Sequence, residues 1–197
     1  MGVSATGRTL TPMTTLHGPR ASALLHRWPT AVGLLVALAA VLGGADRDSV
    51  ATTVAVAASC YVAAAAFSLP WMAWAWIPIA SVLAVGGGLL AVGPVVTTGV
   101  VVAALVVVGL LRGASRPALT LETAGFLGYG VVVVVALLLT PGVGLVLAAL
   151  TLIAHGVWDV WHLRSHRDTV SPSLAEFCVA LDVPLGLAVL VLWAAPM

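Results

Sequence analysis

The sequence predicts an all-α integral membrane protein: one bundle of about seven transmembrane helices, with the N-terminus in the cytoplasm and the C-terminus outside. The first observation behind this prediction is composition. Of the 197 residues, 61% are hydrophobic and 8% are charged, and the mean hydropathy is +1.16. A soluble domain is about half apolar and about a quarter charged. A single soluble core of this size cannot bury so much apolar surface, so the solvent of this chain is lipid.

The second observation is the length of the apolar segments, because about 20 helical residues cross a bilayer. Seven segments meet or approach this length, the first being short, and proline- or glycine-containing breaks separate most of them. Several connections are short and no internal repeat is evident, so antiparallel neighbours in a single bundle are expected. The predicted spans are approximately residues 29–44, 50–68, 71–92, 94–111, 119–139, 142–163 and 172–194.

The polar start of the chain is predicted to be separate from the bundle. Residues 1–28 are interpreted as a mobile cytoplasmic tail and residues 29–197 as the transmembrane domain. A signal peptide is the alternative for the first segment. The polar stretch before it is too long for that, and no strong small-residue cleavage site follows.

The third observation is the placement of arginine. Seven of the eight arginines fall on one side of a seven-span topology, and only Arg47, flanked by Asp46 and Asp48, falls on the other. The positive-inside rule makes the first side cytoplasmic. Lysine, asparagine and glutamine are absent, which is typical of a GC-rich bacterial genome and predicts the bacterial inner membrane as the location. The seven are Arg8, Arg20, Arg27, Arg112, Arg116, Arg164 and Arg167.

Ionisable residues form a stripe on the sixth segment. His155, Asp159, His162 and His166 stand at positions i, i+4, i+7 and i+11, within an arc of roughly 60° on a helix. Because such groups are costly inside a bilayer, an aligned set predicts a functional site. His166 lies at the loop, where a solvated turn explains it, and His162 is near a helix C-terminus, where a cation is favoured.

Helix depth suggests partners for this stripe. At 1.5 Å per residue, His155 lies at about the depth of Asp182 on the seventh segment, and Asp159 at about that of Cys178. Thr151 extends the stripe by one turn. Depth alone does not establish which helix faces meet, and His155 and Asp159 could also satisfy each other as an i, i+4 pair.

Three further residues complete the candidate site. Glu122, near the start of the fifth segment, is placed either to interact with the helix dipole or to shuttle a proton to the cluster. Most tryptophans lie in the half predicted to be cytoplasmic, where an interfacial belt is the usual explanation. Trp74 and Trp158 lie deeper and are predicted to line a substrate pocket with Thr151 and Cys178.

The leading hypothesis is a metalloenzyme that acts on a lipidic or isoprenoid substrate from the cytoplasmic side. His155, Asp159, His162 and Asp182 are the predicted ligands of a divalent metal, zinc or iron. Asp159, Asp182 and Glu122 are the predicted catalytic residues. A metal of this kind would activate water or oxygen toward the substrate.

One known family offers a partial parallel. Thr151-Leu-Ile-Ala-His155 and His162-Leu-Arg-Ser-His166 are similar to elements of the adiponectin-receptor and alkaline-ceramidase-type hydrolases. The resemblance covers about 16 residues and would imply zinc-dependent hydrolysis of a lipid. That family places its histidines on distant helices, whereas here they share one. The repeated histidine boxes of membrane diiron enzymes are missing.

Other functions stay open. A metal-free terpene cyclase or isomerase could use Asp159 or Asp182 as a buried general acid, with tryptophan faces stabilising the cation. A proton- or metal-coupled transporter could use the stripe as a relay, and a structural or partner-binding role is also possible. The absence of lysine excludes a retinal Schiff base. The chain has no basic patch for nucleic acid.

Overall fold

The computed structural model describes residues 27–195, so all but the last two residues of the predicted N-terminal tail lie outside the described residues. The described chain is all-helical, which confirms the predicted fold class. Six of its seven helices are long and apolar enough to cross a membrane, whereas the first has 15 residues and is shorter. The helices are α1 (Trp28–Leu42), α2 (Arg47–Phe67), α3 (Met72–Leu89), α4 (Pro94–Leu111), α5 (Arg116–Leu138), α6 (Pro141–Ser165) and α7 (Pro172–Ala194).

Local chemistry accounts for where the helices begin. Proline is the first residue of α4, α6 and α7, where its missing N–H costs no hydrogen bond. Asp46 caps α2: its carboxylate accepts from the Ser49 N–H at 2.8 Å, and its own N–H donates to the Ser49 hydroxyl at 2.9 Å. The Ser49 hydrogen bonds hold the pKa of Asp46 below its usual value. This cap begins the helix on which the bundle is built.

Helix α2 is the centre of the bundle. Its alanine-rich stretch is buried, including Ala63, Ala64, Ala65 and Ala66, and α3, α4, α5 and α6 all pack against it. Small side chains let neighbouring helices approach closely in a membrane. The outer helices follow the order α1, α7, α6, α5, α4, α3, and α1 and α3 do not pack closely against each other. Apart from the contact between the Trp28 and Trp74 rings, the ring around α2 is therefore open between these two helices.

The α6–α7 contact is especially close. A Cβ added at Gly156 would lie 2.6 Å from the Val183 Cγ2, and one at Gly186 would lie 2.8 Å from the Ala149 carbonyl oxygen. Both distances are too short for real Cβ contacts. The two glycines thus bring the backbones together at the level of Asp182 and one turn beyond it. This approach positions the candidate site.

Interhelical contacts group the loops at two ends. At one end the Ser171 N–H donates to the Pro70 carbonyl at 3.4 Å, and the Arg112 guanidinium lies over the Phe67 ring. At the other end Arg47 donates to two carbonyl groups at the C-terminal end of α5, those of Leu137 and Leu139. The described arginines other than Arg47 thus belong to one end, as the topology argument requires. The inward orientation of that end stays a prediction.

Candidate functional site

Three ionisable side chains meet between α6 and α7. His155 Nδ1 lies 2.9 Å from Asp182 Oδ2 and 3.5 Å from Asp159 Oδ2. The first distance is a hydrogen bond, and the second is too long for a good one. The side chains are 1% exposed for His155 and 0% for both aspartates. The sixth and seventh helices therefore meet at the depth that helix rise predicts, and we name His155, Asp159 and Asp182 the triad.

Tyr61 adds a fourth group from the central helix. Its hydroxyl donates to Asp159 Oδ1, and its ring lies edge-on to His155 with 5.7 Å between ring centroids. Tyr61 is not among the site residues predicted from the sequence. A signal was present, because the chain has only two tyrosines and both lie inside apolar segments. The second, Tyr129 on α5, also packs against His155, at 5.1 Å between centroids.

The triad leaves polar atoms without partners. Among the described residues, His155 Nε2, Asp159 Oδ2 and Asp182 Oδ1 are buried and lack a hydrogen bond. Buried polar groups are normally paired, so three such atoms in one cluster call for an explanation. One ligand atom from each triad residue can be chosen so that all lie within 4.8 Å of one another. The triad is therefore a candidate site for a metal ion.

His162 belongs to a separate pair and is not a member of the triad. Its Nε2 lies 2.8 Å from Glu122 Oε1, and its Nδ1 lies 3.1 Å from the Trp158 carbonyl oxygen. Both side chains of this pair are 1% exposed. Of the four predicted metal ligands, the structure thus brings together three, while His162 binds Glu122 across the α5–α6 contact.

The aromatic side chains predicted to line a pocket lie in two different places. The Trp158 ring packs against His162 and Tyr129, at 5.1 and 6.2 Å between centroids, beside both ionisable groups. Trp74 instead donates from its indole N–H to the Ser173 hydroxyl at 3.0 Å and packs against Phe177. Thr151 is buried, and its hydroxyl donates to a carbonyl group of its own helix.

An apolar cavity of about 410 Å³ lies in the opening between α1 and α3. Helices α2 and α7 also contribute to its lining, through residues that include Cys60 and Cys178. Of the four predicted pocket residues, only Cys178 lines this cavity. Both cysteines are free thiols. Cys60 precedes Tyr61 in α2, and Cys178 is one turn before Asp182 in α7, so the cavity and the triad meet along these two helices.

The fold and the site define a class: a multi-pass helical membrane protein with a buried histidine–aspartate group that could hold a metal ion. Comparison with known proteins adds no family to this description. No protein-family model, curated protein or solved structure matches the chain. Its function must therefore be argued from the site.

Proposed function

We propose that this protein is a membrane-embedded metalloenzyme that acts on a lipidic substrate, with the triad as its metal site. The observation that carries the proposal is the triad itself: one imidazole and two carboxylates, fully buried, with ligand atoms close enough to share one ion. Ionisable residues at this depth are functional more often than structural.

Counting charges supports a cation at the triad. With both aspartates ionised, even a protonated His155 leaves the group with a net negative charge. An uncompensated charge buried in a membrane protein is strongly unfavourable. A divalent ion bound by two carboxylates and a neutral imidazole makes the site neutral. It also supplies partners for the unpaired oxygen atoms of Asp159 and Asp182.

The spacing of the ligand atoms fits zinc. Tetrahedral zinc with nitrogen and oxygen ligands at about 2.0–2.2 Å places neighbouring ligands roughly 3.3 Å apart. The 3.5 Å from His155 Nδ1 to Asp159 Oδ2 is close to this value, and the three ligand atoms, all within 4.8 Å of one another, need only small shifts to surround one ion. The non-haem iron set needs two histidines and one carboxylate, so it fits the triad less well.

The surrounding residues would each have a defined part. A divalent metal supplies Lewis acidity and an activated water for hydrolysis. Tyr61 orients Asp159 through its hydrogen bond, as a partner behind a metal ligand commonly does. Tyr129 and Trp158 shield the imidazoles of α6 from water. The neighbouring apolar cavity fits a lipidic substrate, and the bacterial plasma membrane remains the location we propose.

A metal-free acid catalyst is the second candidate, because a proton can neutralise the triad in place of a metal. One aspartate that keeps its proton can donate it to an olefin or epoxide. The rings of Tyr61 and Tyr129, which already face the His155 imidazole, are then placed to stabilise positive charge. This candidate needs no ion, which separates it from the first.

Metal analysis of the purified protein tests the proposal. The protein is prepared in mild detergent without a histidine tag, as the wild type and as His155→Ala and Asp182→Asn variants. Glu122→Gln is the matched control, since Glu122 is equally buried beside a histidine but lies outside the triad. We expect zinc close to one per chain in the wild type and in Glu122→Gln, and background zinc in the two triad variants.

Three outcomes would contradict the metalloenzyme. Background metal in folded wild-type protein after zinc addition would favour acid catalysis, for which activity on isoprenoids should survive a chelator. Equal loss of zinc in Glu122→Gln would place the ion elsewhere. Zinc uptake by proteoliposomes that requires Asp182 would indicate a transporter. Monodisperse elution and helical circular dichroism identify the variants that are folded.

A further inference from the structure

We infer that the cavity between α1 and α3 binds one aliphatic chain of the substrate, with the reacting end of that substrate beside the triad. The inference rests on the proposed function and goes further, because it specifies the kind of lipid. The volume that the cavity encloses is that of about one aliphatic chain.

The lining of the cavity suits a hydrocarbon. Apolar side chains make up most of it, and the triad carboxylates are not among the lining residues. Because lipid tails are as apolar as this lining, packing contacts with the lining side chains favour binding, and removal from water does not contribute. Side chains from α1, α2, α3 and α7 contribute, among them Val36, Val56, Ile77, Ala84, Phe177 and Leu181.

The cavity opens toward the bilayer. Val36 on α1 and Val85 on α3 line it from opposite sides, and they are 42% and 64% exposed on the outer surface of the bundle. Apart from the contact between the Trp28 and Trp74 rings, at 5.1 Å between centroids, these two helices do not pack closely against each other. A chain can therefore enter sideways from the membrane, without passing through water.

The cavity lies near the triad along α2 and α7, although no triad residue lines it. Cys60 and Cys178 line the cavity, and each belongs to a helix that supplies a triad contact within one turn. Cys60 is followed directly by Tyr61, which hydrogen-bonds Asp159. Cys178 precedes Asp182 by four residues, on the same face of α7. A chain lying in the cavity would thus hold its polar end near the reacting groups.

The volume limits the chain. In another protein, an engineered apolar cavity of about 150 Å³ holds one benzene molecule, which has six carbons. On that scale, the cavity of about 410 Å³ accommodates roughly 16 carbons. One acyl chain, or an isoprenyl chain of similar length, fills this space.

Photocrosslinking tests the inference and separates the two sources of an aliphatic chain. The full-length protein in detergent is labelled with diazirine-bearing palmitate in one arm and with diazirine-bearing farnesol in the other, and the labelled peptides are mapped. Val85→Trp fills the mouth of the cavity from an exposed position. Val82→Trp is the matched control, because Val82 is 71% exposed on the same helix and does not line the cavity.

We expect saturable labelling of α2 and α7 peptides around Cys60 and Cys178. Val85→Trp should weaken probe binding by about tenfold, equivalent to about 1.4 kcal/mol, and Val82→Trp should leave it unchanged. The probe that labels the protein more strongly, palmitate or farnesol, identifies the chain as acyl or isoprenyl.

Non-saturable labelling spread over all lipid-facing helices, and unaffected by Val85→Trp, would overturn the inference. Labelling is repeated on chelator-treated protein and on Asp182→Asn, which keeps this test independent of the metal. Saturable labelling of wild-type protein that holds only background metal would contradict the metalloenzyme but support the chain site, and labelling that survives chelation would show that the chain binds without the ion. Metal binding without saturable labelling would contradict the chain site alone.

Discussion

The two buried histidines of α6, His155 and His162, are seven residues apart, and each lies beside one or more carboxyl groups. The two groups differ in the number of carboxylates per histidine. His162 faces one carboxylate, Glu122, and both of its ring nitrogens have partners. His155 faces two carboxylates through a single nitrogen, Nδ1, and its other nitrogen has no partner among the described residues. Burial is nearly equal in the two groups.

The difference shows that position on a helix face does not determine chemical role. The His162–Glu122 pair has one carboxyl group for one imidazole, so it needs no further cation for charge balance, although Glu122 Oε2 is buried without a hydrogen bond among the described residues. The triad carries one acid more than its histidine can balance. Structural pairing suffices for the first group, whereas the second calls for a cation or an extra proton. The predictions below test this contrast.

Breaking the balanced pair should have the largest effect on stability. His162→Ala leaves Glu122 buried without a partner, and we expect it to lower the free energy of unfolding by about 3–5 kcal/mol. Replacing both members by leucine should recover most of this loss, because apolar substitutes for a buried pair are often neutral or better. Unfolding in increasing detergent denaturant, followed by circular dichroism, measures both variants.

Asp182→Asn in metal-free protein is the comparison for that experiment. It removes the excess acid of the triad while keeping side-chain volume, so its cost should be much smaller than that of His162→Ala. A triad variant that destabilises the metal-free protein as strongly as His162→Ala would show that the two groups are equally balanced, and the contrast would be wrong.

Zinc should stabilise the protein through the triad alone. At a free zinc concentration of about 100 times Kd, mass action predicts a gain of about 2.7 kcal/mol in the free energy of unfolding. Glu122→Gln should keep this gain, and Asp182→Asn should lose it. Thermal unfolding with and without zinc, at fixed detergent concentration, gives the comparison. A gain of equal size in Asp182→Asn would contradict the triad as the zinc site.

The close α6–α7 approach should matter for the triad and not for the pair. At Gly186→Ala the new Cβ would lie 2.8 Å from the Ala149 carbonyl oxygen, and overpacking of this kind should cost about 2 kcal/mol. Zinc affinity should also fall in Gly186→Ala, because Asp182 is one turn away. Gly128→Ala is the control, because its Cβ would meet no atom within 4 Å. Isothermal titration with zinc distinguishes the two variants. Equal zinc affinity in both would show that the close α6–α7 packing does not position the triad.

Tyr61→Phe should have the smallest effect on stability. It removes the hydrogen bond to Asp159 and should cost about 1.5 kcal/mol. If Asp159 binds zinc, losing this outer partner should weaken zinc binding by about tenfold. Tyr129→Phe, which keeps the ring against His155 but removes a hydroxyl that donates to the Ala154 carbonyl, is the matched control. Unchanged zinc affinity in Tyr61→Phe would remove Tyr61 from the proposed site.

Much of the architecture could be predicted from one sequence because a bilayer imposes simple rules. Segment length, proline and glycine breaks and arginine placement predicted a bundle of about seven helices, and the structure contains seven helices of which six are long enough to span. Helix boundaries moved by a few residues, as at Arg116, where α5 begins earlier than the predicted residue 119. The helical period placed His155 and Asp159 on one face, and helix rise placed Asp182 at their depth.

The site could be predicted only in part. His155, Asp159 and Asp182 meet because α6 and α7 are consecutive, antiparallel and tightly packed, so local rules carry most of the information. Tyr61 contacts Asp159 from a helix 98 residues away along the chain, and Glu122 binds His162 across 40 residues. Periodicity and depth cannot select such partners, since they do not specify which helices become neighbours.

The sequence by itself determined that the protein lies in lipid, that it is all-helical, and which helix face carries the ionisable groups. These follow from composition and from the 3.6-residue period, which are local properties of the chain. Tertiary structure alone decided that His162 takes Glu122 as its partner, that His155 shares two acids, and that α1 and α3 leave a cavity between them. Those outcomes depend on how helices pack around α2, and the packing is set by many weak contacts between side chains far apart in the sequence.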